Sequence, residues 1–349
     1  MKRVVIAAGG TGGHFYPGLV LADTLRARGW EPLLLVRAGD PALAVLESKG
    51  IAAVEVDLKG LPRRPSLDLL RFPGKVVGAF VLVNRILRSF GPQAVVGMGG
   101  YLTFPALAAA AKRGIPRALH ESNAVLGLAN RMSLAFGAEL FWGLPRQDGD
   151  GGTLTGTPIR PALWTALDAA AARRALGLDA AATVLVFGGS QGARALNRLV
   201  PAALAKAKTP QVLHLSGPKE AAEVEAAYKT AGLKATVLPY LEAMEQAYAA
   251  ADVVICRSGA STLAELAAQR KRSVLIPFPH AAGNHQEINA RVFERLGAAK
   301  VVLEQDIEAS LEGQVRELLS GPEAAYPELG LPAPAKTAEA LADAVERLT

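Results

Sequence analysis

The sequence predicts an α/β protein made of two similar halves, each a parallel sheet flanked by helices. Short apolar runs alternate with helical patterns along all 349 residues, which favours an α/β fold. Two glycine-rich turns, residues 9–14 and 188–193, each follow an apolar run and open a helical pattern. This length suits two domains of roughly 150 residues each, so we expect one such turn at the start of each domain.

The first half contains apolar runs that predict strands near residues 3–8, 32–36, 53–57, 94–97, 117–120 and 138–142. The pattern of residues 19–25 predicts an amphipathic helix after the first glycine turn. The segment Gly156–Pro161 contains a glycine and two prolines, which disfavour regular structure and predict a hinge. We therefore expect an N-terminal domain at residues 1–156.

The second half repeats the scheme, with strands expected near residues 183–187, 211–215, 235–238, 252–256, 273–277 and 299–302. A helix is expected at 196–204, after the second glycine turn. A stretch rich in proline and alanine, residues 322–334, precedes a last helical pattern at 336–348. We predict a second domain at 157–334 and a C-terminal helix, about 335–349, that crosses back to the first domain.

Composition limits the partners and the compartment. The net charge of +6 suggests an acidic partner, but the basic residues are scattered and few aromatic residues lie among them. This distribution favours phosphates or anionic lipid over nucleic acid. The single cysteine, Cys256, excludes an internal disulfide and fits a reducing cytosol. We expect neither a signal peptide nor a membrane span, since the chain begins with a short strand and no run of about 18 apolar residues occurs.

The glycine turns favour anion binding, because glycine permits sharp turns and helix N-termini attract anions. A dinucleotide site is disfavoured, since the third glycine is absent and the second strand ends at Arg37 without an acid. A P-loop is disfavoured too, because His14 follows Gly13 where lysine is required. The triplet Asp148–Asp150 has the composition of a metal motif, but its glycine-rich surroundings fit a solvated linker better.

His14 is the first candidate for catalysis. A histidine in the first turn of a helix experiences the positive end of the helix dipole, which favours the neutral imidazole. A neutral imidazole can accept a proton from an attacking hydroxyl. A helix-capping or merely exposed histidine is the open alternative.

The second half carries the sequence RSGASTLAE, residues 257–265, directly after a predicted strand. Its small residues leave a helix N-terminus open to an anion, and Glu265 could bind both hydroxyls of a ribose. The alternative is a capping-box glutamate paired with Ser261 or Thr262. Downstream, His285 and Gln286 follow another predicted strand and are expected near the same sheet edge.

These motifs resemble those of the MurG family of peptidoglycan N-acetylglucosaminyltransferases. The segments GGTGGHFYPGLVLADTL, GMGGY, HESNAVLGLANR, GTPIR, GGSQGARALN, RSGASTLAE and the HQ pair occur in the family's order and roughly its spacing, over essentially the whole chain. The resemblance implies an inverting GT-B glycosyltransferase with two Rossmann-like domains facing each other across a cleft. An enzyme of this family is expected to move GlcNAc from UDP-GlcNAc to the 4-hydroxyl of MurNAc in undecaprenyl-pyrophosphoryl-MurNAc-pentapeptide, which converts lipid I to lipid II.

The resemblance also assigns residues, with His14 as the proposed general base. Ser190 and Arg160 match phosphate contacts, Glu265 the ribose ligand and Leu241 a main-chain contact to uracil, while Asn123 and Gln286 match contacts to the GlcNAc hydroxyls. The full set expected to bind UDP-GlcNAc is Thr11, Gly12, Gly13, Asn123, Arg160, Ser190, Leu241, Ala260, Ser261, Thr262, Leu263, Ala264, Glu265, His285 and Gln286. The set expected at the acceptor pyrophosphate is Gly10, Gly99, Gly100 and Tyr101.

Because the acceptor expected from the resemblance is a lipid, residues 61–90 are a candidate membrane-binding segment. Leu69, Leu70, Phe72, Val76, Val77, Phe80 and Val81 alternate there with Arg63, Arg64, Arg71, Lys75, Arg85 and Arg88. This pattern suits a helix lying on an anionic bilayer, and an ordinary amphipathic helix packed in the core is the alternative.

The resemblance implies a peripheral enzyme at the cytoplasmic face of the cell membrane, acting in cell-wall synthesis and cell division beside other cell-wall synthesis proteins. No metal is expected to be required, with magnesium at most stimulatory. A UDP-GlcNAc 2-epimerase-like enzyme of the same fold is the rival function, and a non-catalytic UDP-sugar-binding module is a third.

Overall fold

The computed structural model describes residues 1–9, 12–58, 60, 67–146, 151–320 and 326–349. Within them the chain divides into two compact units. The first comprises residues 1–160 and 331–349, and the second comprises residues 161–330. No helix in the described part of the chain is both long and apolar enough to span a membrane.

The first unit contains a parallel sheet of seven strands. They are β1 (Lys2–Ala7), β2 (Trp30–Arg37), β3 (Ala52–Val56), β4 (Ala94–Gly97), β5 (Arg117–Glu121), β6 (Glu139–Trp142) and β7 (Thr153–Leu154). The structure confirms the six strands predicted from apolar runs. Apolar runs identify them because most of their side chains are buried beneath helices on the two faces of the sheet. The sequence did not predict β7, whose two residues are too few to form an apolar run.

Helices cover both faces of this sheet. They are α1 (Gly12–Ala27), α2 (Ala42–Ser48), α3 (Leu67–Phe90), α4 (Thr103–Lys112) and α5 (Leu128–Leu134). One core lies under α1 and includes Leu21 and Leu25, and the other lies under α3 and α4 and includes Val83 and Leu107. Residues 155–160 form neither helix nor strand, as expected from their proline and glycine content.

Helix α3 combines the two alternatives considered for residues 61–90. Phe72, Val76 and Phe80 pack partly buried against the core, so the expectation that they face a bilayer is wrong. They lie on the same helix face as Ala79 and Val83, which cover the sheet. Leu70, Val77 and Val81 are instead exposed on the outer side. Arg63 and Arg64 lie outside the described residues, as do Asp148–Asp150.

The second unit contains a parallel sheet of six strands. They are β8 (Thr183–Phe187), β9 (Gln211–Leu215), β10 (Ala235–Leu238), β11 (Val253–Cys256), β12 (Ser273–Leu275) and β13 (Ala299–Val301), matching the predicted set. The helices are α6 (Ala169–Ala175), α7 (Arg194–Lys206), α8 (Ala221–Thr230), α9 (Met244–Ala250), α10 (Ala260–Ala268), α11 (His285–Arg295) and α12 (Ile307–Ser320).

The C-terminal helix, α13 (Pro334–Arg347), belongs to the first unit. Its apolar residues Leu341 and Val345 are fully buried in the same core as helix α1. The Arg28 guanidinium lies 2.6 Å from an oxygen of Asp343 and 2.9 Å from one of Glu346. The predicted return of the last helix to the first domain is therefore confirmed.

Both sheets have a topological switch point. The strand orders are β3-β2-β1-β4-β5-β6-β7 and β10-β9-β8-β11-β12-β13. In the first sheet the chain runs from β1 outward to β3, then returns to β4 beside β1 and continues toward the opposite edge. The second sheet repeats this order with β8, β10 and β11. The loops that follow β1 and β4, and those that follow β8 and β11, therefore leave a crevice at the carboxyl ends of the strands, where open α/β sheets bind ligands.

Candidate active site

The switch point of the first unit brings His14 against the loop that follows β4. His14 lies in the first turn of α1, and its Nδ1 is 3.1 Å from the Met98 carbonyl oxygen. Gly99 and Gly100 both have positive φ, +98° and +77°. A Cβ on Gly99 would stand only 2.7 Å from His14 Nδ1, so glycine is required there by both the backbone and the close approach.

The Met98 carbonyl determines the tautomer of His14. A carbonyl oxygen can only accept a hydrogen bond, so Nδ1 must carry the proton. The neutral imidazole then has its lone pair on Nε2. This is the arrangement a general base requires, with one ring nitrogen oriented by the protein and the other able to receive a proton.

Backbone approach also shapes the glycine turn itself. A Cβ on Gly9 would meet the Arg37 backbone nitrogen at 2.9 Å, and one on Gly100 would meet the Gly9 carbonyl oxygen at 3.1 Å. The Tyr101 side chain is 40% exposed beside this turn. Gly10 and Thr11 lie outside the described residues, while Gly12 and Gly13 begin α1. The expected acceptor contacts of Gly10, Gly99, Gly100 and Tyr101 stay predictions.

A buried carboxylate at the end of β5 organises the next loop. Glu121, 2% exposed, accepts hydrogen bonds through Oε1 from the backbone nitrogen and Nδ2 of Asn123, at 3.0 and 2.8 Å. Its Oε2 accepts from Gly127 N at 2.9 Å and from Asn130 Nδ2 at 2.8 Å. The sequence reasoning singled out Asn123 and missed Glu121, although an acid at the end of a buried strand was a usable signal. Glu121 therefore fixes the orientation of Asn123.

Two further contacts lie around the segment that leaves the first unit. The Arg160 guanidinium stacks over the Tyr16 ring at 5.3 Å, which is a cation–π contact with the helix that carries His14. His120 Nε2 lies 3.0 Å from the Gly156 carbonyl oxygen. Complete burial lowers the pKa of His120, so this imidazole is a neutral structural group.

The second unit places its glycine turn between β8 and α7. Gly192 has a φ of +74°, and a Cβ there would collide with the Ser216 carbonyl oxygen. Gly189 and Ser190 are exposed at the tip of the turn. Helix α7 begins after Ala193 without a side-chain cap, so the amide groups of its first turn have no capping side chain.

A buried polar network of His214, Asn197 and Tyr228 packs behind the glycine turn of the second unit. The neutral His214 places Nε2 3.1 Å from Asn197 Oδ1 and Nδ1 2.9 Å from the Tyr228 hydroxyl. Asn197 in turn donates through Nδ2 to the Ser216 carbonyl at 2.9 Å. Burial lowers the pKa of His214 to about 3. The network therefore fixes the Ser216 carbonyl against which Gly192 packs.

The loop after β11 opens a second helix at the same switch point. Helix α10 begins after Gly259 and also has no side-chain cap. Arg257 is buried and donates to the carbonyls of Ile276 and Pro277 at 3.1 and 3.0 Å. Ser258 Oγ donates to the Gln286 carbonyl at 2.7 Å. These bonds join the loop after β11 to the end of β12 and to the first turn of α11.

Glu265 lies between one and two turns into α10, and a hydrogen bond from a neighbouring helix, α9, fixes its carboxylate. Its Oε2 accepts a hydrogen bond from the Tyr248 hydroxyl at 2.8 Å. The capping-box alternative is wrong, because the N-cap residue is Gly259 and Glu265 lies beyond the position that a capping box uses. The ribose role of Glu265 stays a prediction.

The other residues predicted to bind UDP-GlcNAc also lie in the second unit, except Asn123, Arg160 and the turn before His14, which belong to the first. Gln286 is the second residue of α11, and its Oε1 accepts a hydrogen bond from Phe278 N at 3.0 Å. His285 Nδ1 lies 2.8 Å from the Ala282 carbonyl, so it carries a proton. Leu263 and Ala264 bury their side chains, as does Ala260. Their main chain alone could reach a ligand, as could that of the half-buried Leu241.

Neither a reactive cysteine nor a metal-binding cluster occurs in the described part of the chain. The Cys256 thiol is buried, and burial raises its pKa well above the ordinary range. Among the residues that the structure describes, no three or more histidine, cysteine, aspartate or glutamate side chains group closely enough to hold a metal ion.

Comparisons with known proteins agree with this architecture. The glycosyltransferase family 28 N-terminal domain matches residues 4–141, and the C-terminal domain of that family matches residues 183–348. The glycosyltransferase of kitacinnamycin shares the fold, with a TM-score of 0.69 over 99% of this chain and 95% of that one, at 17% identity. Two parallel-sheet domains with glycine turns at their switch points, together with these matches, define a two-domain glycosyltransferase of the GT-B class.

Relatives narrow the class to one family. A UDP-N-acetylglucosamine–N-acetylmuramyl-(pentapeptide) pyrophosphoryl-undecaprenol N-acetylglucosamine transferase of Elusimicrobium minutum is 38% identical over the full length of both chains. The transferase of that name from Azoarcus sp. is 39% identical over 88% of this chain and 87% of its own. The crystal structure of Acinetobacter baumannii MurG superposes with a TM-score of 0.80 at 28% identity, covering 99% of this chain and 100% of that one. The chain belongs to the MurG family.

Proposed function

We propose that this chain transfers GlcNAc from UDP-GlcNAc to the 4-hydroxyl of the muramoyl sugar in undecaprenyl-pyrophosphoryl-MurNAc-pentapeptide. Family membership supports the reaction class, since relatives that match 100% and 88% of this chain carry this substrate pair in their names. The observation in this chain that supports it best is the bond between His14 Nδ1 and the Met98 carbonyl. It leaves the lone pair on Nε2, where a base for an attacking hydroxyl needs it.

The chemistry is a single displacement. The acceptor hydroxyl attacks the anomeric carbon as His14 Nε2 removes its proton, and the bond from that carbon to the UDP oxygen breaks. The configuration inverts from α to β, and the bonding electrons leave with the diphosphate. Ser190 and the uncapped N-termini of α7 and α10 would stabilise that charge, with Arg160 as the predicted cationic contact.

Transfer is tested with labelled UDP-GlcNAc and a short-chain lipid I analogue. The expected product is a β-1,4-linked disaccharide lipid, identified by mass spectrometry and NMR. Release of UDP with an epimerised free sugar would instead indicate the 2-epimerase-like alternative. Binding of UDP-GlcNAc without turnover would indicate a binding module, and either result would contradict the proposal.

A metal requirement is tested in the same assay. We expect transfer to persist in excess EDTA, because helix N-termini and cationic side chains can stabilise the leaving diphosphate. Added Mg²⁺ is expected to raise the rate at most modestly. Complete loss of activity in EDTA, restored by Mg²⁺, would contradict this expectation.

Helix α3 supports a peripheral membrane surface for the lipid acceptor. Leu70 is 78% exposed, Val77 61% and Val81 41%, and their spacing places them in one stripe along the helix. Arg85 and Arg88 are exposed and continue that stripe. Each inserted apolar side chain stabilises membrane binding by about 1.5–3 kcal/mol and each basic residue by about 1 kcal/mol. We assign this surface to the anionic cytoplasmic leaflet, where cell-wall synthesis proteins would be its neighbours.

Vesicle sedimentation tests this surface. The double variant L70S/V77S should lose most of its binding to vesicles of anionic phospholipid while keeping the wild-type unfolding transition, since both side chains are exposed. Leu167→Ser is the matched control, because Leu167 is 43% exposed in the second unit. Equal vesicle binding by wild type and double variant would contradict the membrane role of α3.

A further inference from the structure

Arg257 joins the ends of three neighbouring strands of the second sheet. It directly follows β11 and is only 8% exposed. Its Nη1 donates to the carbonyl oxygens of Ile276 and Pro277, which follow β12, at 3.1 and 3.0 Å. Its Nη2 donates to a carboxylate oxygen of Glu304, which lies just beyond β13. A guanidinium is a planar fork of donors, so this one side chain holds all three acceptors in fixed directions.

One of these acceptors connects Arg257 to Gln286. The Pro277 carbonyl belongs to the same peptide unit as the Phe278 N–H, and that N–H donates to Gln286 Oε1 at 3.0 Å. This unit is trans, so its C=O and N–H bonds lie in one plane and point in opposite directions. The carbonyl that Arg257 holds therefore sets the direction of the N–H. Glu304, Arg257 and Gln286 thus belong to one continuous chain of hydrogen bonds.

This chain determines the orientation of the Gln286 amide. A backbone N–H can only donate, so the amide oxygen must face Phe278, and Nε2 with its two hydrogens must lie on the other side. The Gln286 main chain is held as well, since Ser258 Oγ donates to its carbonyl oxygen at 2.7 Å. Asn289 Nδ2 in turn donates to the Ser258 carbonyl at 3.2 Å. Gln286 itself is half-buried, so part of this fixed side chain stays accessible to a ligand.

We propose that Arg257 is a positioning residue for the donor sugar. By holding the peptide unit between Pro277 and Phe278, it directs Gln286 Nε2 toward a GlcNAc hydroxyl as a hydrogen-bond donor. This inference rests on the proposed function, in which Gln286 contacts the GlcNAc hydroxyls. Arg257 acts through Gln286, because both of its Nη atoms are engaged by Glu304 and the two carbonyls. It therefore contributes to recognition of the sugar and not of the nucleotide.

The test separates the sugar from the nucleotide. Calorimetry without acceptor measures the dissociation constants of UDP-GlcNAc and of UDP for wild type, R257K, Q286A and the double variant R257K/Q286A. UDP lacks the sugar, so its affinity reports whether the N-terminus of α10, which follows Arg257 closely, is undisturbed. In R257K a single ammonium nitrogen replaces the planar fork and cannot hold Glu304 and both carbonyls in the same directions.

The matched control is R173K. Arg173 also combines an ion pair with a bond to a backbone carbonyl, since it donates to Asp252 at 2.7 Å and to the Ala250 carbonyl at 3.0 Å. These contacts lie before β11, at the opposite end of the strand from Arg257. The substitution therefore makes the same chemical change in the same unit without touching the chain of hydrogen bonds to Gln286. Urea unfolding of each variant measures the loss of stability.

R257K should bind UDP-GlcNAc about tenfold more weakly, with wild-type affinity for UDP. Q286A should lose about the same factor, and the double variant should lose no more than Q286A, because Arg257 acts through Gln286. R173K should bind both ligands as wild type does. Glu304→Gln leaves the guanidinium a neutral partner and should weaken UDP-GlcNAc alone by about threefold. This last variant decides the question if R257K does not fold.

Three results would overturn the positioning role of Arg257. They are wild-type affinity for UDP-GlcNAc in R257K, equal weakening of UDP and UDP-GlcNAc in R257K, and losses that multiply in the double variant. If only E304Q folds, wild-type affinity for UDP-GlcNAc in that variant would overturn it. A wild-type protein that transfers no GlcNAc to the lipid I analogue would instead refute the proposed function. The two failures are distinguishable, because the affinities are measured without an acceptor.

Discussion

The packing of Gly99 against His14 allows a sharp test of how the imidazole is held. In Gly99→Ala the new methyl carbon would stand 2.7 Å from Nδ1 and 2.8 Å from Cε1 of His14. Favourable contacts between heavy atoms lie at about 3.5–4.0 Å, so the ring must move by about 1 Å. That movement would break the 3.1 Å bond to the Met98 carbonyl and release the tautomer that the bond fixes.

Two separate effects follow from this substitution. The positive φ of +98° at Gly99 costs an alanine about 1–2 kcal/mol of stability. Displacement of a reacting group by about 1 Å costs about 100-fold in rate. The matched control is Gly114→Ala, because Gly114 has a φ of +66° and no atom within 4 Å of its Cβ position. The control carries the backbone strain without the collision.

The assay measures kcat for transfer, the urea midpoint of unfolding, and the ¹⁵N shifts of His14, which report its tautomer. G114A should lose only the stability that the backbone strain costs, and G99A should lose more because the collision adds to that strain. G99A alone should lose about 100-fold in kcat. G99A alone should also show a mixture of imidazole tautomers. Wild-type kcat in G99A, or an equal loss of kcat in G114A, would refute the idea that close packing on Gly99 positions His14.

Two further predictions concern the second unit. The buried His214 has a pKa of about 3. Unfolded histidine has a pKa of about 6.5, so only the unfolded state binds the proton as the pH falls. Between pH 7 and pH 5 the free energy of unfolding should therefore fall by about 2 kcal/mol more in wild type than in His214→Gln. The control is the exposed His280→Gln. Equal pH dependence of the unfolding free energy in wild type and His214→Gln would contradict this prediction. Tyr248→Phe removes the hydrogen bond to Glu265 and should raise the KM for UDP-GlcNAc about tenfold with little change in kcat, because a bond to a charged group is worth about 1.5–3 kcal/mol. The control is Tyr326→Phe, because the Tyr326 hydroxyl is buried and has no hydrogen-bond partner in the described part of the chain. It should leave that KM unchanged, and an equal rise in both variants would contradict the role of Glu265.

The strands and the glycine turns could be predicted from the sequence because each depends on local residues. Buried parallel strands require apolar runs, and sharp strand-to-helix turns require glycine. The first half shows the limit at β7, Thr153–Leu154, whose pairing depends on β6 rather than on its own composition. The outward face of α3 shows a second limit, since Phe72 and Leu70 look equally suited to a membrane until the core is placed.

The candidate site was only partly predictable for the same reason. His14 and Gly99 are far apart in sequence, and only the neighbouring positions of β1 and β4 bring them together. Glu121 belongs to a motif that the sequence marks, yet its function depends on four hydrogen bonds made within the folded loop. Motifs thus identify the segments, whereas tertiary contacts determine the role of each side chain.

The most direct test of the account is the turnover of His14→Ala with saturating labelled UDP-GlcNAc and the short-chain lipid I analogue. Because a general base contributes about 10²–10⁴-fold, kcat should fall by that factor while UDP affinity, measured by calorimetry, stays at the wild-type value. Wild-type kcat in His14→Ala would contradict the account, since His14 Nε2, the nitrogen proposed to take the proton, would then have no part in the transfer.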